Sequence, residues 1–362
     1  MAFNTFKTDT AISIDIQALK HNMGVVRGHV GNALIFAVVK ANAYGHGLGV
    51  VIRALPNADG FCVFSLDEAA IVREAFPAKP LVWLAGFSTP KELECVTKCK
   101  LIPLVHHKEQ IQILKQHRLS SPIDIFLKIN TGMNRLGFLP EKFHQVYQWL
   151  MNSPKIKKPF TLMSHFSKAE EINSRETAQQ IHLFDYLTTD LNNPLSLANT
   201  AAIWAWPKAI RDHVRPGISL YGISPFKDKT GVDLGLRPVM TFRSKLIAIN
   251  LCKKNTQVGY GGVWIAPKDT YLGVVDVGYF DGYSRHAKNG TPVLINDTLY
   301  PMVGRVSMNM ITVDLGSSPK VNVNDAVTLW GEGLPVEVIA KYCGTIPYTL
   351  ITGIPSHIKS SY

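Results

Sequence analysis

The sequence predicts an α/β protein: an N-terminal (β/α)8, TIM-like barrel over residues 1–236, then a mostly β C-terminal domain over residues 237–362. Three observations predict it. The chain has 362 residues, long for a single hydrophobic core. Its first two-thirds alternates short apolar runs with segments of helical periodicity. After Leu236 the texture changes to short β-like runs punctuated by glycine and proline.

The first barrel strand is expected at residues 33–40, apolar from Ala33 to Val39 and ending in Lys40. Further runs follow at residues 60–64, 80–86, 101–107, 123–130, 160–166, 195–200 and 214–222. Continuous apolar strands bounded by turns indicate burial on both faces and hence a parallel sheet. Segments 66–76, 108–117, 141–151 and 175–191 between them carry helical periodicity. Eight strands alternating with helices is the count of a closed barrel. An open doubly wound sheet is the alternative, because periodicity does not prove closure. Past the polar loop Lys227-Asp228-Lys229-Thr230-Gly231, β-like runs are expected at 241–250, 270–277, 292–294, 303–306, 310–315 and 326–330, with one helical pattern near 335–342. The first ~10 residues are expected to pack with the C-terminal domain.

Hydrophobic residues make up 46% and charged residues 18% of the chain, the balance of a soluble globular protein. No apolar stretch approaches the ~20 residues that span a bilayer, and residues 1–9 carry no signal-peptide core. A cytoplasmic location is the expectation. The cysteines Cys62, Cys95, Cys99, Cys252 and Cys343 form an odd, scattered set, unlike a disulfide framework. Cys95 and Cys99 lack the further ligands a zinc site needs, so no metal is expected. The net charge is +11, but the basic residues are dispersed. With no basic helix or RNA-binding motif, nucleic acid is not an expected partner, and no membrane partner is expected either.

Lys40 is the first candidate for chemistry. It ends an apolar strand, so its side chain is placed at the carboxyl end of the barrel, the catalytic face. Desolvation there favours the neutral amine, which can attack an aldehyde and form a Schiff base. The plain alternative is a lysine that snorkels at a strand end. Other polar residues fall on the same face. His165 closes the sixth strand, Asn199-Thr200 the seventh, Arg215 lies in the eighth, and Arg135 follows the fifth. Each has a structural alternative, but polar residues at so many strand ends are hard to produce from packing alone. Thr200 and Gly217-Ile218 begin the loops after strands seven and eight, where barrels bind phosphate. A hydroxyl and backbone N–H groups are suitable phosphate donors. A lysine for an aldehyde, together with a phosphate cradle, describes a site for pyridoxal 5'-phosphate (PLP).

The stretch Val39-Lys40-Ala41-Asn42-Ala43-Tyr44-Gly45-His46-Gly47 resembles the PLP-lysine signature of the alanine racemases. The resemblance continues through residues 128–137, 164–170, 214–222, 277–285 and 304–309, in order and over essentially the whole chain. It implies an isomerase that interconverts L- and D-alanine by a two-base mechanism and supplies D-alanine for peptidoglycan. Lys40 would carry the cofactor and act as one base, and Tyr260, in Val258-Gly259-Tyr260-Gly261-Gly262, as the other. Arg135 and the backbone of Met308 would contact the substrate carboxylate. Arg215 would face the pyridine nitrogen, with His165 supporting Arg215 and Tyr260. Tyr44, Asn199, Thr200, Gly217, Ile218 and Tyr348 would complete the cofactor site. Tyr279 and Arg285 would support it, and Lys128 matches a lysine that is carbamylated in many members, where it orients the substrate-binding arginine. The resemblance also implies a homodimer in which Tyr260 and Met308 of one chain complete the site around Lys40 of the other.

The sequence departs from the family pattern in places. Thr200 stands where serine is usual, Asn309 and Asn130 replace common aspartates, and the C-terminal stretch Ile354-Pro355-Ser356-His357-Ile358 lacks the usual arginines. Neither base is affected; Asn130 and Asn309 bear on substrate affinity and rate. Three other readings compete: a PLP decarboxylase of similar architecture, a racemase of serine or broad specificity, and a non-enzymatic PLP-binding barrel. The last lacks a β domain, which residues 240–362 supply.

Overall fold

The structure, a computed structural model, describes residues 10–362. They form two compact units. One comprises Lys20–Leu220 and Pro225–Lys227; the other takes the described residues up to Leu19, Tyr221–Ser224 and Asp228–Tyr362. All five cysteines are free thiols. No helix among the described residues is long and apolar enough to cross a membrane.

The chain begins with strand β1 (Ala11–Ile14) and then enters the first unit. There β2 (Leu34–Val38), β3 (Gly60–Val63), β4 (Leu81–Trp83), β5 (Ile102–Val105), β6 (Phe126–Lys128), β7 (Thr161–Met163), β8 (Leu195–Asn199) and β9 (His213–Arg215) form a closed barrel. The strands pair parallel in chain order, and β2 closes on β9 through Leu34↔His213 and Ile35↔Val214. The closed barrel expected from sequence is present, and the open doubly wound sheet is excluded. The last strand starts one residue earlier than expected and stops at Arg215, because Pro216 has no N–H to continue a ladder.

The lower barrel is plugged. Phe36 and Phe126 lie 5.8 Å apart, and both pack on the His213 ring at 5.0 and 5.7 Å. Burial lowers the pKa of His213, so the imidazole serves this apolar layer as a neutral ring. With that end filled by side chains, only the carboxyl ends of the strands remain for chemistry. Local signals fix the surrounding helices. Ser65 and Glu68 form a capping box at Leu66–Ala75, and Thr89 and Glu92 form another at Pro90–Lys98, where Pro90 opens the helix.

In the second unit β10 (Met240–Cys252) is the organising strand. It is followed by the pair β11 (Gln257–Val258) and β12 (Trp264–Ile265), then β13 (Thr270–Val275), β14 (Pro292–Ile295), β15 (Thr298–Val303), β16 (Ile311–Gly316), β17 (Ala326–Trp330) and β18 (Lys359–Ser361). The first half of β10 pairs with β1 and β17 and the second half with β13. Register shifts after Phe242 and Leu246 mark the bulges that bend one strand between partners. The pairings run β13-β16-β15-β14-β17-β10, and β10 returns to β13, so these six strands form a ring. The run expected as a strand at 303–306 is a correction. The strand is Thr298–Val303, reached through an Asn296-Asp297 turn with both φ angles positive, and Gly304 at φ 78° ends it. Of the segment expected to pack with the C-terminal domain, residues 1–9 lie outside the described residues. Thr10 hydrogen-bonds Ser244 Oγ at 2.9 Å, within the second unit.

Candidate active site

Lys40 leaves β2 and the chain turns sharply. Ala41, Asn42, Ala43 and Tyr44 all sit near φ 54°, a left-handed turn made without glycine. L-residues pay roughly 1–2 kcal/mol each for that conformation, so the surroundings must over-determine it. They do. Asn42 N–H donates to Glu68 Oε1 at 3.1 Å, Asn42 Oδ1 accepts from Leu48 N at 2.8 Å, and Gly45 N donates to Ala41 O at 2.9 Å. The strain holds Lys40 in place at the barrel mouth. Burial and the positive charge of Arg135 lower the Lys40 pKa, favouring the nucleophilic amine.

Arg215 is buried at the end of β9 with no carboxylate in contact among the described residues. Its Nη1 donates to Ser196 Oγ, and Nη2 donates to Ser164 O at 2.7 Å and Leu197 O at 3.3 Å. Burial lowers its pKa to about 10, still cationic at neutral pH. Nη2 also lies 3.5 Å from His165 Nδ1. A guanidinium only donates, so Nδ1 is the acceptor and Nε2 carries the proton. Burial and the surrounding cations push the His165 pKa well down, which keeps the ring neutral.

Thr200 Oγ1 accepts from Gly217 N at 2.9 Å, which leaves its own proton to donate outward, and Ser219 Oγ lies 3.4 Å away. A Cβ at residue 217 would stand 2.6 Å from the Tyr44 hydroxyl. Only glycine therefore lets Tyr44, Thr200 and the Gly217-Ile218 backbone share one place. Asn199 acts structurally, since its Oδ1 accepts from Ala202 N at 3.0 Å and caps the helix Thr200–Ala205.

Lys128 is buried at the end of β6, and burial with Arg215, Arg135 and Lys40 lowers its pKa to about 8. Arg135 is exposed in the following loop. That loop is shaped by Asn130, whose Oδ1 accepts from Gly132 N at 3.2 Å and Asn134 N at 3.0 Å. One amide oxygen thus accepts from both loop N–H groups. Among the described residues no carboxylate forms an ion pair with Lys40, Lys128, Arg135 or Arg215. The barrel mouth is cationic and asks for an anionic ligand.

In the second unit the connection at residues 304–310 gathers the other predicted residues. Met308 O accepts from Phe280 N at 2.9 Å and Ser307 O from Tyr279 N at 3.0 Å. Arg285 donates to Val306 O at 2.7 Å and lies over the Tyr279 ring at 5.2 Å. Gly259 and Gly261, which flank Tyr260, face Arg305. Tyr260 is 66% exposed and Met308 54% exposed, so neither is enclosed within its own unit. Tyr348 lies in the helix Pro347–Thr352 of this unit.

The family model for the alanine racemase N-terminal domain matches residues 14–225, and that for the C-terminal domain matches residues 239–362. The chain belongs to the alanine racemase family. It is 48% identical to alanine racemase of Nitrosomonas eutropha and 44% identical to that of Vibrio parahaemolyticus, over 96% of this chain and 97% and 98% of those proteins. The crystal structure of biosynthetic alanine racemase from Pseudomonas aeruginosa superimposes with a TM-score of 0.95 at 38% identity, covering 98% of this chain and 99% of that one. Alanine racemase from Bartonella henselae, described with covalently bound pyridoxal phosphate, gives a TM-score of 0.85 at 27% identity, covering 99% of this chain and all of that one.

The barrel mouth of this alanine racemase family member fits such a cofactor. A low-pKa amine on Lys40 suits an aldehyde. The Tyr44, Thr200 and Gly217 cradle suits a phosphate, and the uncompensated cations suit its charge together with a substrate carboxylate. Sequence reasoning missed the residues that hold this set in place: Glu68 under the left-handed turn, Ser164 and Ser196 around Arg215, and His106 beyond β5. Serines in barrel strands carry no sequence signal. His106 did carry one, because it stands at a strand end beside the others.

Proposed function

We propose that this chain interconverts L-alanine and D-alanine with PLP attached at Lys40, as a cytoplasmic homodimer supplying D-alanine for peptidoglycan. The observation that carries the reading is Lys40, an amine favoured by burial, held by a strained turn in a cationic barrel mouth. In this reading residues 1–236 hold most of the cofactor, and residues 237–362 bring the second base and Tyr348 for the phosphate. When bound, PLP supplies the electron sink that makes the substrate Cα–H acidic.

The chain's own residues do the rest. Lys40 Nζ moves the proton on the D-alanine side, and Tyr260 Oη of the partner chain moves it on the L-alanine side. In this reading Arg215, acting through His165, would supply the cationic neighbourhood that a tyrosine base needs. The His165 tautomer supports this, since Nε2–H is left as a donor toward a phenolate. Arg215 would face the pyridine nitrogen as a hydrogen-bond donor and, because a guanidinium does not give up its proton, would leave that nitrogen unprotonated. Arg135 and Met308 N–H grip the substrate carboxylate, and Lys128 orients Arg135. Tyr44, Thr200, Gly217, Ile218 and Tyr348 bind the phosphate, with Asn199 setting the helix that presents Thr200. Tyr279 and Arg285 brace the Met308 segment. Exposure of Tyr260, Val263, Ile265, Phe280, Met308 and Met310 in the isolated chain supports burial against a second copy.

Borohydride treatment of the yellow protein should fix the cofactor to the Lys40 peptide. Incubation with L-alanine in heavy water should give both enantiomers deuterated at Cα. Exchange of another amino acid while alanine keeps its proton would overturn the substrate assignment.

A further inference from the structure

His106 is a histidine fixed from three sides with one nitrogen left over. Gln110 Oε1 accepts from His106 N at 2.7 Å and His107 N at 3.1 Å, while Gln110 Nε2 donates to Leu104 O at 3.0 Å. The ring is held by Ala85 O, 2.9 Å from Nε2. The Ala85-Gly86 turn reaches that position because Gly86 has φ 67°; a Cβ there would stand 2.2 Å from Leu104 O. A carbonyl only accepts, so Nε2 carries the proton and Nδ1 is a bare acceptor. Nδ1 is buried and has no hydrogen-bond partner, a costly state for a polar atom.

The register shows what it faces. Leu104 pairs with Phe126 and Val105 with Leu127, so the next position sets His106 opposite Lys128. Phe126 points into the barrel, where it meets Phe36 and His213; two residues on, Lys128 points the same way. The Lys128 side chain is itself buried without a hydrogen bond or ion pair among the described residues. Its positive charge helps to keep His106 neutral, although burial contributes more. One buried acceptor and one buried, unpartnered amine thus stand side by side in the barrel mouth.

We propose that His106 Nδ1 is the proton acceptor and hydrogen-bond partner for the Lys128 nitrogen, and so a positioning residue for the arginine that Lys128 orients. The inference rests on the proposed role of a carbamylated Lys128. The neutral amine attacks carbon dioxide. The N–C bond forms, one C=O π pair moves to oxygen, and the nitrogen gives one proton to Nδ1, which releases it to water at the barrel mouth. The carbamate keeps one N–H, for which Nδ1 is again the acceptor. Carbamylation replaces a cation by an anion among Lys40, Arg135 and Arg215.

The test is a 13C NMR spectrum of the holoenzyme in 13C-bicarbonate. Lys128→Ala identifies the carbamate signal by its loss. Asparagine places an acceptor near Nδ1, and glutamine keeps the Nε2-like donor without one. His106→Asn should retain the signal, and His106→Gln should reduce its occupancy roughly tenfold or more, as expected when a buried group loses its partner. The opposite order overturns the proposal and leaves His106 a structural pin. A wild-type spectrum with no Lys128-dependent signal overturns the carbamylated state of Lys128 itself. A measurement on the unaltered chain guards against misfolded variants: the His106 Nδ1 15N resonance should move when bicarbonate is added, and an unmoved resonance overturns the proposal.

Discussion

The barrel mouth and the 304–310 face of the β unit solve opposite problems. In the mouth, Arg215, Lys128 and His165 are buried or nearly so, and Arg215 is held by the hydrogen bonds it donates to Ser164, Ser196 and Leu197. On the β face, Tyr260 and Met308 stand more than half exposed, and only the backbone beneath them is pinned. A site finished inside one unit needs nothing further to define its electrostatics. A side chain left in water has no fixed geometry, so Tyr260 gains its proposed role only when something covers it. The difference teaches that the barrel mouth is electrostatically set within its own unit, while the β face leaves Tyr260 and Met308 open, as the proposed site shared between two chains requires.

The largest test breaks that division directly. Lys40→Ala should lower racemisation on the order of 10⁴-fold, the upper range for a positioned acid or base. Tyr260→Phe should impair proton removal from L-alanine far more than from D-alanine, by on the order of 10²-fold or more. Mixing the two variants under conditions of subunit exchange should restore about a quarter of the wild-type sites, since half the dimers are mixed and each mixed dimer has one intact site. A mixture as inactive as its parts would show that each chain completes its own site.

A second test asks whether buried charge is treated alike in the two units. The mouth leaves its cations without carboxylates, whereas buried Glu337 in the β unit is met by backbone donors, Ser224 N at 2.9 Å and Gly231 N at 2.7 Å. Glu337→Ala should cost about 2–4 kcal/mol in denaturant unfolding, because two buried N–H groups lose their acceptor. Burial raises the Glu337 pKa above the ordinary 4.5 despite those bonds. The sign follows: the folded state favours the protonated acid, so its contribution is full below the unfolded pKa and is lost as pH rises through the folded one. Glu337→Gln keeps an acceptor without the charge. It should match or exceed wild-type stability at neutral pH and fall behind it as pH drops below 4.5. A variant that loses stability equally at all pH values would show that the charge plays no part.

The barrel was legible in the sequence because eight apolar strands buried on both faces leave a strong, local signal. Strand β1 was not, since four residues gain their meaning from pairing with β10 more than two hundred positions later. The helix Ile16–Val30 was hidden by Gly24 and Gly28, which interrupt its apolar face. At the site, strand-end Lys40, His165 and Arg215 were readable as chemistry out of place in a core. Ser164, Ser196 and Glu68 were not, because a serine or a helix-capping glutamate acquires its role only from the register that sets it against Arg215 or Asn42. The 303–306 strand failed for a local reason: β15 ends where Gly304 turns.

A third test reads the strain at the mouth. Ala41 is exposed and left-handed at φ 54°. Glycine occupies that conformation without the Cβ penalty and loses little burial there. Ala41→Gly should therefore stabilise the fold by about 1 kcal/mol, against the usual direction of such a change, while loosening the turn that places Lys40. A higher unfolding midpoint with a lower kcat is the expected pair of results. A lower midpoint would mean that the turn carries no strain.

The smallest effect belongs to Asn130, where the mouth meets solvent. Its oxygen accepts from Gly132 N and Asn134 N, and its amide donates to Asn134 Oδ1 at 3.1 Å. Asn130→Asp keeps both acceptors, so the loop should hold its shape. It adds a carboxylate five residues from Arg135, the group proposed to grip the substrate carboxylate. Asn130 is half-buried and Arg135 exposed, and charges at such a wet rim interact by at most about 1 kcal/mol, so KM for alanine should rise about twofold. The rise should shrink at high salt as screening shortens the reach of the new charge. Because the proton-moving groups are untouched, kcat should stay level. A change in kcat with constant KM would instead place Asn130 among the residues that set the chemistry of the mouth, and would extend the buried, pre-set region out to a loop that the hydrogen bonds describe as surface.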